Sequence, residues 1–301
     1  MRKLLVLLVA LVTVAAFAAV SISGSAWAKL QVEFDATTAT ATPTITSGGS
    51  VRLVLSDNEG EETGFSVTFD GFGVSSAYVW EYLYNTDALK IKYRLGTLDR
   101  GTYYVTNDGG AFALDFAMAS GDLSDDLSVF VYFPGEPMVD MDVFNSLSFT
   151  FISLDVFAKG LLSAGAGSFP LLGVDATIDL AKALNIENAT LEGYACLAID
   201  PNQTGLDMLP NYMFGVDFGI DKFSGGLWFE GPDTIGASVE TTVLEPVTIG
   251  GSVELPVTLS DFSAVSIEAY AKWTRELLSH KISLSFQQPV ATVAWTVSVS
   301  F

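Results

Sequence analysis

Apolar residues fall on every second position through most of this chain. Leu30, Val32 and Phe34 alternate with Gln31 and Glu33, and Phe65, Val67 and Phe69 with Ser66 and Thr68. Leu89, Ile91, Tyr93 and Leu95 alternate with Lys90, Lys92 and Arg94; Phe112, Leu114, Phe116 and Met118 with Ala113, Asp115 and Ala117. The same beat runs through Leu172–Leu180 and Tyr212–Ile220, and further segments start near Val51, Tyr78, Leu127, Phe149, Leu191, Ile235, Val247, Val265 and Ile282. A period of two is the strand period, because successive side chains point to opposite faces. Turn signals separate the segments: Asn107-Asp108-Gly109-Gly110, Pro134-Gly135-Glu136-Pro137, Asp200-Pro201-Asn202 and Gly231-Pro232-Asp233. Only 181–188 and 273–279 could make a turn of helix, and neither could form a layer. The segments follow no fixed repeat length and no linker divides them, so the pattern predicts one all-β domain.

The start of the chain departs from this beat. Met1-Arg2-Lys3 is followed by an apolar run from Leu4 to Val20 and a small, polar stretch ending Ala26-Trp27-Ala28. These are the parts of a cleaved secretory signal peptide, with the cut expected after Ala28 and Ala16-Phe17-Ala18 as an earlier site. The expected organisation is therefore a signal peptide over 1–28 and a single domain over 29–301. No cysteine stands near the cut, which excludes a lipoprotein anchor.

Beyond Ala28 no apolar run reaches the ~18 residues of a membrane-spanning helix. Alternation alone also suits a soluble sandwich, whose outer face carries many charged residues. Here the second phase is mostly Gly, Ala, Ser and Thr with scattered Asp, while Trp80, Tyr82, Tyr84, Trp228, Tyr270 and Trp273 lie near strand ends. An apolar face bordered by aromatics suits a lipid-facing wall, and a sheet in lipid must close to leave no backbone group unpaired. The expected fold is a closed antiparallel transmembrane β-barrel. At about 30–35 residues per strand pair it would have roughly 16 strands, with 14–18 the range.

The last segment sharpens this. Val293, Trp295, Val297, Val299 and the final Phe301 alternate with Ala294, Thr296, Ser298 and Ser300. With the signal peptide and the strand pattern, this ending resembles the outer-membrane β-barrel proteins of bacteria, of porin-like kind. The resemblance implies that Trp295, Val297, Val299 and Phe301 form the signal read by the barrel assembly machinery. Val299 departs from the pattern, since the third residue from the end is often aromatic in that class. It further implies outer-membrane lipid as surroundings, passive transport of small hydrophilic solutes or cations, and a homo-oligomer by analogy with porins. Barrels of about this size leave an aqueous channel.

Composition supports this reading and narrows it. The chain of 301 residues has 35 acidic and 14 basic residues, a formal charge of −21. Losing the leader removes Arg2 and Lys3 and no acid. So acidic a surface excludes nucleic-acid partners, which need a basic one. One cysteine (Cys196, read as packed in a strand) and one histidine (His280, read as lying in an exposed turn) leave little for catalysis. No Gly-x-Ser-x-Gly elbow occurs, and Gly165-Ala166-Gly167-Ser168 lacks the lysine of a phosphate loop. No enzyme activity, cofactor or metal is expected. The acidic turns 57–62 and 121–126 lack the spacing of a calcium loop.

If the small, polar phase lines a lumen, its charges become the selectivity candidates. Asp115, Asp175, Asp179, Asp217, Glu240, Glu254 and Glu268 would make it acidic and cation-preferring. Lys90, Lys92, Arg94 and Arg100 would form an opposing basic wall, setting up a transverse field. Two other functions stay open: a structural or adhesive barrel without an open pore, and a secreted β-sandwich whose aromatics bind carbohydrate.

Overall fold

The computed structural model describes residues 19–56, 62–70, 73–98, 101–106, 109–135, 138–162, 169–257 and 264–301. The first nine strands are β1 (Ala19–Asp35), β2 (Thr40–Ser56), β3 (Thr63–Asp70), β4 (Gly73–Asn85), β5 (Leu89–Leu98), β6 (Gly109–Ser120), β7 (Leu123–Gly135), β8 (Met138–Phe149) and β9 (Ile152–Lys159). The second nine are β10 (Leu171–Asp179), β11 (Ala189–Ile199), β12 (Asn211–Ile220), β13 (Phe223–Glu230), β14 (Thr234–Leu244), β15 (Val247–Pro256), β16 (Ser266–Arg275), β17 (Leu278–Gln287) and β18 (Val290–Ser300). Helix is limited, among the described residues, to α1 (Leu180–Ala183) and one 3-10 turn, Gly205–Met208.

Each strand pairs antiparallel with the next, and β1 pairs with both β2 and β18, so the 18 strands close into a barrel. Closure answers the edge problem at the seam: among the described residues β1 is paired on both sides from Ser25 to Asp35. At the seam Leu30 lies opposite Trp295 and Ser25 opposite Ser300. Closure also removes the β-sandwich alternative.

Cross-strand partners share a face, so rows of partners show which way each phase points. Lys92, Asp115, Ser128, Phe144, Phe157, Gly173 and Ala198 form one row through β5–β11. It faces inward: Phe157 is 0 % and Ser128 2 % exposed. The neighbouring row, Tyr93, Leu114, Val129, Val143 and Ala158, faces outward. On the outward phase Leu227 is 60 %, Val239 55 % and Leu284 54 % exposed. Aliphatic side chains so bare, all round a closed sheet, call for a hydrocarbon surround.

Several expectations need correcting. Among the described residues the strands number 18, the upper end of the expected 14–18 rather than about 16, because most hairpins at one end use two-residue turns such as 121–122, 150–151 and 276–277. Strand β1 runs from Ala19, within the span read as signal peptide. Of the two expected helical turns, α1 forms, with Asp179 Oδ1 accepting the Lys182 N–H at 2.8 Å. The other, 273–279, is the hairpin joining β16 to β17. His280 is therefore not in a turn. It lies in β17 on the outward phase, stacked between Trp273 (5.1 Å) and Trp295 (6.2 Å). Of the aromatics assigned to a lipid-facing border, Tyr84 and Trp273 point outward. Trp80, Tyr82, Trp228 and Tyr270 share rows with Arg94, Lys92, Gly236 and Gly250 and point inward. The beat locates strands; it does not choose the face when both phases carry aromatics.

Candidate functional site

The candidate site is the inside of the barrel, which is not uniformly polar. Phe130, Tyr132, Phe144, Phe157, Leu98, Ala113 and Ala198 form a buried cluster inside the wall, completed by Val105. Val105 belongs to the β5–β6 connection, whose residues 101–106 fold into the lumen. Thr102 N–H bonds to Val105 C=O at 2.8 Å, and Gly101 bridges to Thr106, so the segment forms its own small turn.

Three attachments hold that turn. The Tyr103 N–H donates to Asp175 Oδ2 at 2.6 Å, and the Tyr104 hydroxyl donates to Glu230 Oε1 at 3.1 Å. The third is close approach at Gly173, where a Cβ would overlap Thr102 Oγ1 and come within 2.8 Å of Val105 Cβ. Burial pushes the Tyr104 hydroxyl well above its ordinary 10.0, and the bond to Glu230 adds to the shift. It therefore stays protonated and able to donate. The Tyr103 and Tyr104 rings meet edge to face at 4.8 Å.

Of the expected basic wall, Lys90, Lys92 and Arg94 share the inward phase of β5, and Arg100 lies outside the described residues. That strand does not stand alone against a distant acidic wall. Arg94 donates from Nε to Asp115 Oδ2 at 2.6 Å and from Nη2 to Asp115 Oδ1 at 2.7 Å, on the adjacent β6. Both residues are buried, with Phe130 beneath the guanidinium at 5.6 Å. A two-pronged Arg–carboxylate pair of this kind is geometrically specific and strong.

Apart from Asp115, the expected acidic residues lie inward in two groups. Glu240 accepts from Lys272 Nζ at 2.6 Å and from the Tyr270 hydroxyl at 2.5 Å, and Glu268 pairs with Lys281 at 2.8 Å. Lys281 lies over the Tyr270 ring at 4.4 Å, so these five residues form one network on β14, β16 and β17. Glu254 shares their phase on β15.

The second group is a file of like charges. Asp179 is in register with Glu192, and Glu192 with Asp217, on β10, β11 and β12. Four residues back along β10 from Asp179, Asp175 faces Asp155 of β9. Strands β10–β14 carry no lysine or arginine at all. A concavity of about 450 Å³ opens on this wall between Glu192, Asp217, Glu240 and Tyr270. Carboxylates opposite one another on a sheet repel.

Glu192, Asp155, Glu230, Asp140 and Asp142 were not among the sequence candidates. Glu192 was within reach, since its phase follows from Leu191 and the residues beside it. Asp140 and Asp142 were not: they bind the N–H groups of Leu162 (3.1 Å) and Gly160 (2.8 Å) in the connection after β9, which no local pattern announces. Cys196 packs in β11 as expected, buried on the inward phase. Glu62 closes the acidic turn 57–62, whose other residues lie outside the described ones, as do 165–168. Trp295, Val297, Val299 and Phe301 share the outward phase of β18 and its end. Phe301 exchanges two backbone hydrogen bonds with Gly24, at 2.8 and 3.1 Å.

Comparison with known proteins finds no matching family model and no matching curated protein. Solved structures do match. Two triple mutants of a porin from Rhodopseudomonas blastica each superpose with a TM-score of 0.55 at 11 % identity, covering 94 % of this chain and 100 % of theirs. A third mutant of that porin gives 0.52, also at 11 % identity and with the same coverage. The chain thus has the fold of a porin barrel along nearly its whole length.

Proposed function

We propose that this chain is a bacterial outer-membrane barrel that passes small hydrophilic solutes by diffusion, with a preference for cations. The observation that carries the reading is the register file Asp179–Glu192–Asp217 on three neighbouring strands that carry no lysine or arginine, inside a barrel whose outer face is apolar. A wall of one sign raises the local concentration of counter-ions and slows co-ions, more so where low-dielectric material focuses the field. The turn of residues 101–106 narrows the passage beside that wall. Residues 99–108, 160–170, 200–210 and 257–265 connect strands at one end, and tight turns fill most of the other. Barrels of this class place long loops outside the cell and short turns in the periplasm. Export by a cleaved signal peptide and assembly by the machinery that reads Trp295, Val297, Val299 and Phe301 complete the proposal; the mechanism has no catalytic step and no cofactor.

One observation favours a second reading. The cluster of Phe130, Phe144, Phe157 and Val105 fills part of the interior, as a barrel with a packed lumen would require. Planar-bilayer recording separates the two. Discrete conductance steps on adding the detergent-purified protein support the pore. Repeated insertion without steps supports the packed barrel.

A further inference from the structure

We propose that the leader is removed between Ala18 and Ala19, so that residues 19–28 remain as barrel wall; this inference rests on the membrane-barrel reading above. The sequence supports a change of role there. From Leu4 to Ala18 the chain is apolar at every position except Thr13, with no alternation. From Val20 the two-residue beat begins: Ser21, Ser23 and Ser25 on one phase, Val20 and Ile22 on the other. Ala16-Phe17-Ala18 carries the small residues that leader peptidases recognise, as Ala26-Trp27-Ala28 does. A cut at Ala28 would need an apolar stretch long for a leader.

The pairing of β1 gives the physical reason. All 17 of its residues are in register with β2, from Ala19 opposite Ser56 to Asp35 opposite Thr40. Ser25 to Ala28 also pair with Ser300 to Val297, and Gly24 closes on Phe301. Removing residues 19–28 would strip β2 of its partner from Ser47 to Ser56. It would also free the β18 edge from Val297 onward, the part that ends in the assembly signal. The seam would then stand open to hydrocarbon with backbone groups unpaired, each costing several kcal/mol.

Side chains agree. Ser25, Trp27 and Lys29 continue the inward phase, while Ile22, Ala26, Ala28 and Leu30 continue the outward one. The Trp27 indole lies over Gly48, where a Cβ would come within 3.0 Å of the ring. Trp228 covers Gly236 and Tyr270 covers Gly250 in the same way, elsewhere in the wall. Aromatic cover of a cross-strand glycine is a device that pins register, and a discarded segment has no use for it.

The step is a hydrolysis. The Ala18–Ala19 amide breaks, and water supplies the hydroxyl that completes the Ala18 carboxyl and the proton that completes the Ala19 amine. The test is N-terminal sequencing and intact mass of the outer-membrane species that changes mobility between unheated and boiled SDS samples. Ala19 as first residue is expected; Lys29 or Met1 overturns the inference while leaving the barrel standing. Absence of any heat-shifting species overturns the barrel reading and this inference with it. In parallel, Ala18→Leu should make the unprocessed chain the main species and Ala28→Leu should process normally. The reverse pattern overturns the proposal.

Discussion

The Tyr104 hydroxyl reaches Glu230 at 3.1 Å across 126 residues of chain, tying an inward-folded turn to the far side of its own barrel. Hydrogen bonds to charged acceptors contribute about 1.5–3 kcal/mol, so this one matters to a six-residue segment with few other attachments. Tyr104→Phe keeps the ring and removes the bond. Open-channel conductance is expected to rise, with more closures per second. The bond also carries a pH signature. Its hydroxyl is held above the ordinary 10.0, so the contribution is complete below pH 10.0 and is lost as pH climbs through the raised value. Wild-type conductance should therefore hold level as pH passes 10, where an unshifted tyrosine would already have let the turn go, and rise only well above it; Tyr104→Phe should lack that late rise. Equal alkaline responses in the two proteins would contradict the assignment.

Gly173 tests the same turn from the wall. A side chain there collides with Thr102 and Val105, so Gly173→Leu should expel residues 101–106 from the lumen while leaving the register of β9, β10 and β11 intact. The expected result is a wider pore by polymer exclusion and faster proteolysis of the released segment in the folded barrel. Unchanged exclusion size would mean that the turn does not set the width.

Arg94 and Asp115 are both buried inside the wall, and only their pairing makes that tolerable. Replacing one member of a buried ion pair leaves the other charge stranded, typically at about 3–5 kcal/mol. Arg94→Met should therefore lower stability by about 3 kcal/mol, read as a fall in the urea midpoint of the micelle-bound barrel. Adding Asp115→Leu to Arg94→Met should recover most of the loss. A single variant as stable as wild type would contradict the pairing.

How much of this was legible in the sequence depended on contrast between phases. In β12, Phe214, Val216, Phe218 and Ile220 alternate with Met213, Gly215, Asp217 and Gly219, and the inward placement of Asp217 follows. In β7, Leu127, Val129 and Val131 alternate with Ser128, Phe130 and Tyr132, so both faces are largely apolar and the interior cluster stays hidden. Trp228 looks like a border residue until Gly236 opposite it supplies the space that draws the indole inward. Asp179, Glu192 and Asp217 become a file only once three strands are in register, which is a property of pairing rather than of spacing. The turn at 101–106 reads locally as a connection; Asp175 and Glu230, remote in sequence, are what fold it inward.

The central claim is a water-filled pore whose acidic wall favours cations. Its most direct test is the zero-current potential across a planar bilayer holding the purified protein between unequal KCl solutions. The account predicts a potential of the sign set by potassium, reduced when Asp217→Asn and Glu192→Gln are combined. A potential of the sign set by chloride would contradict it.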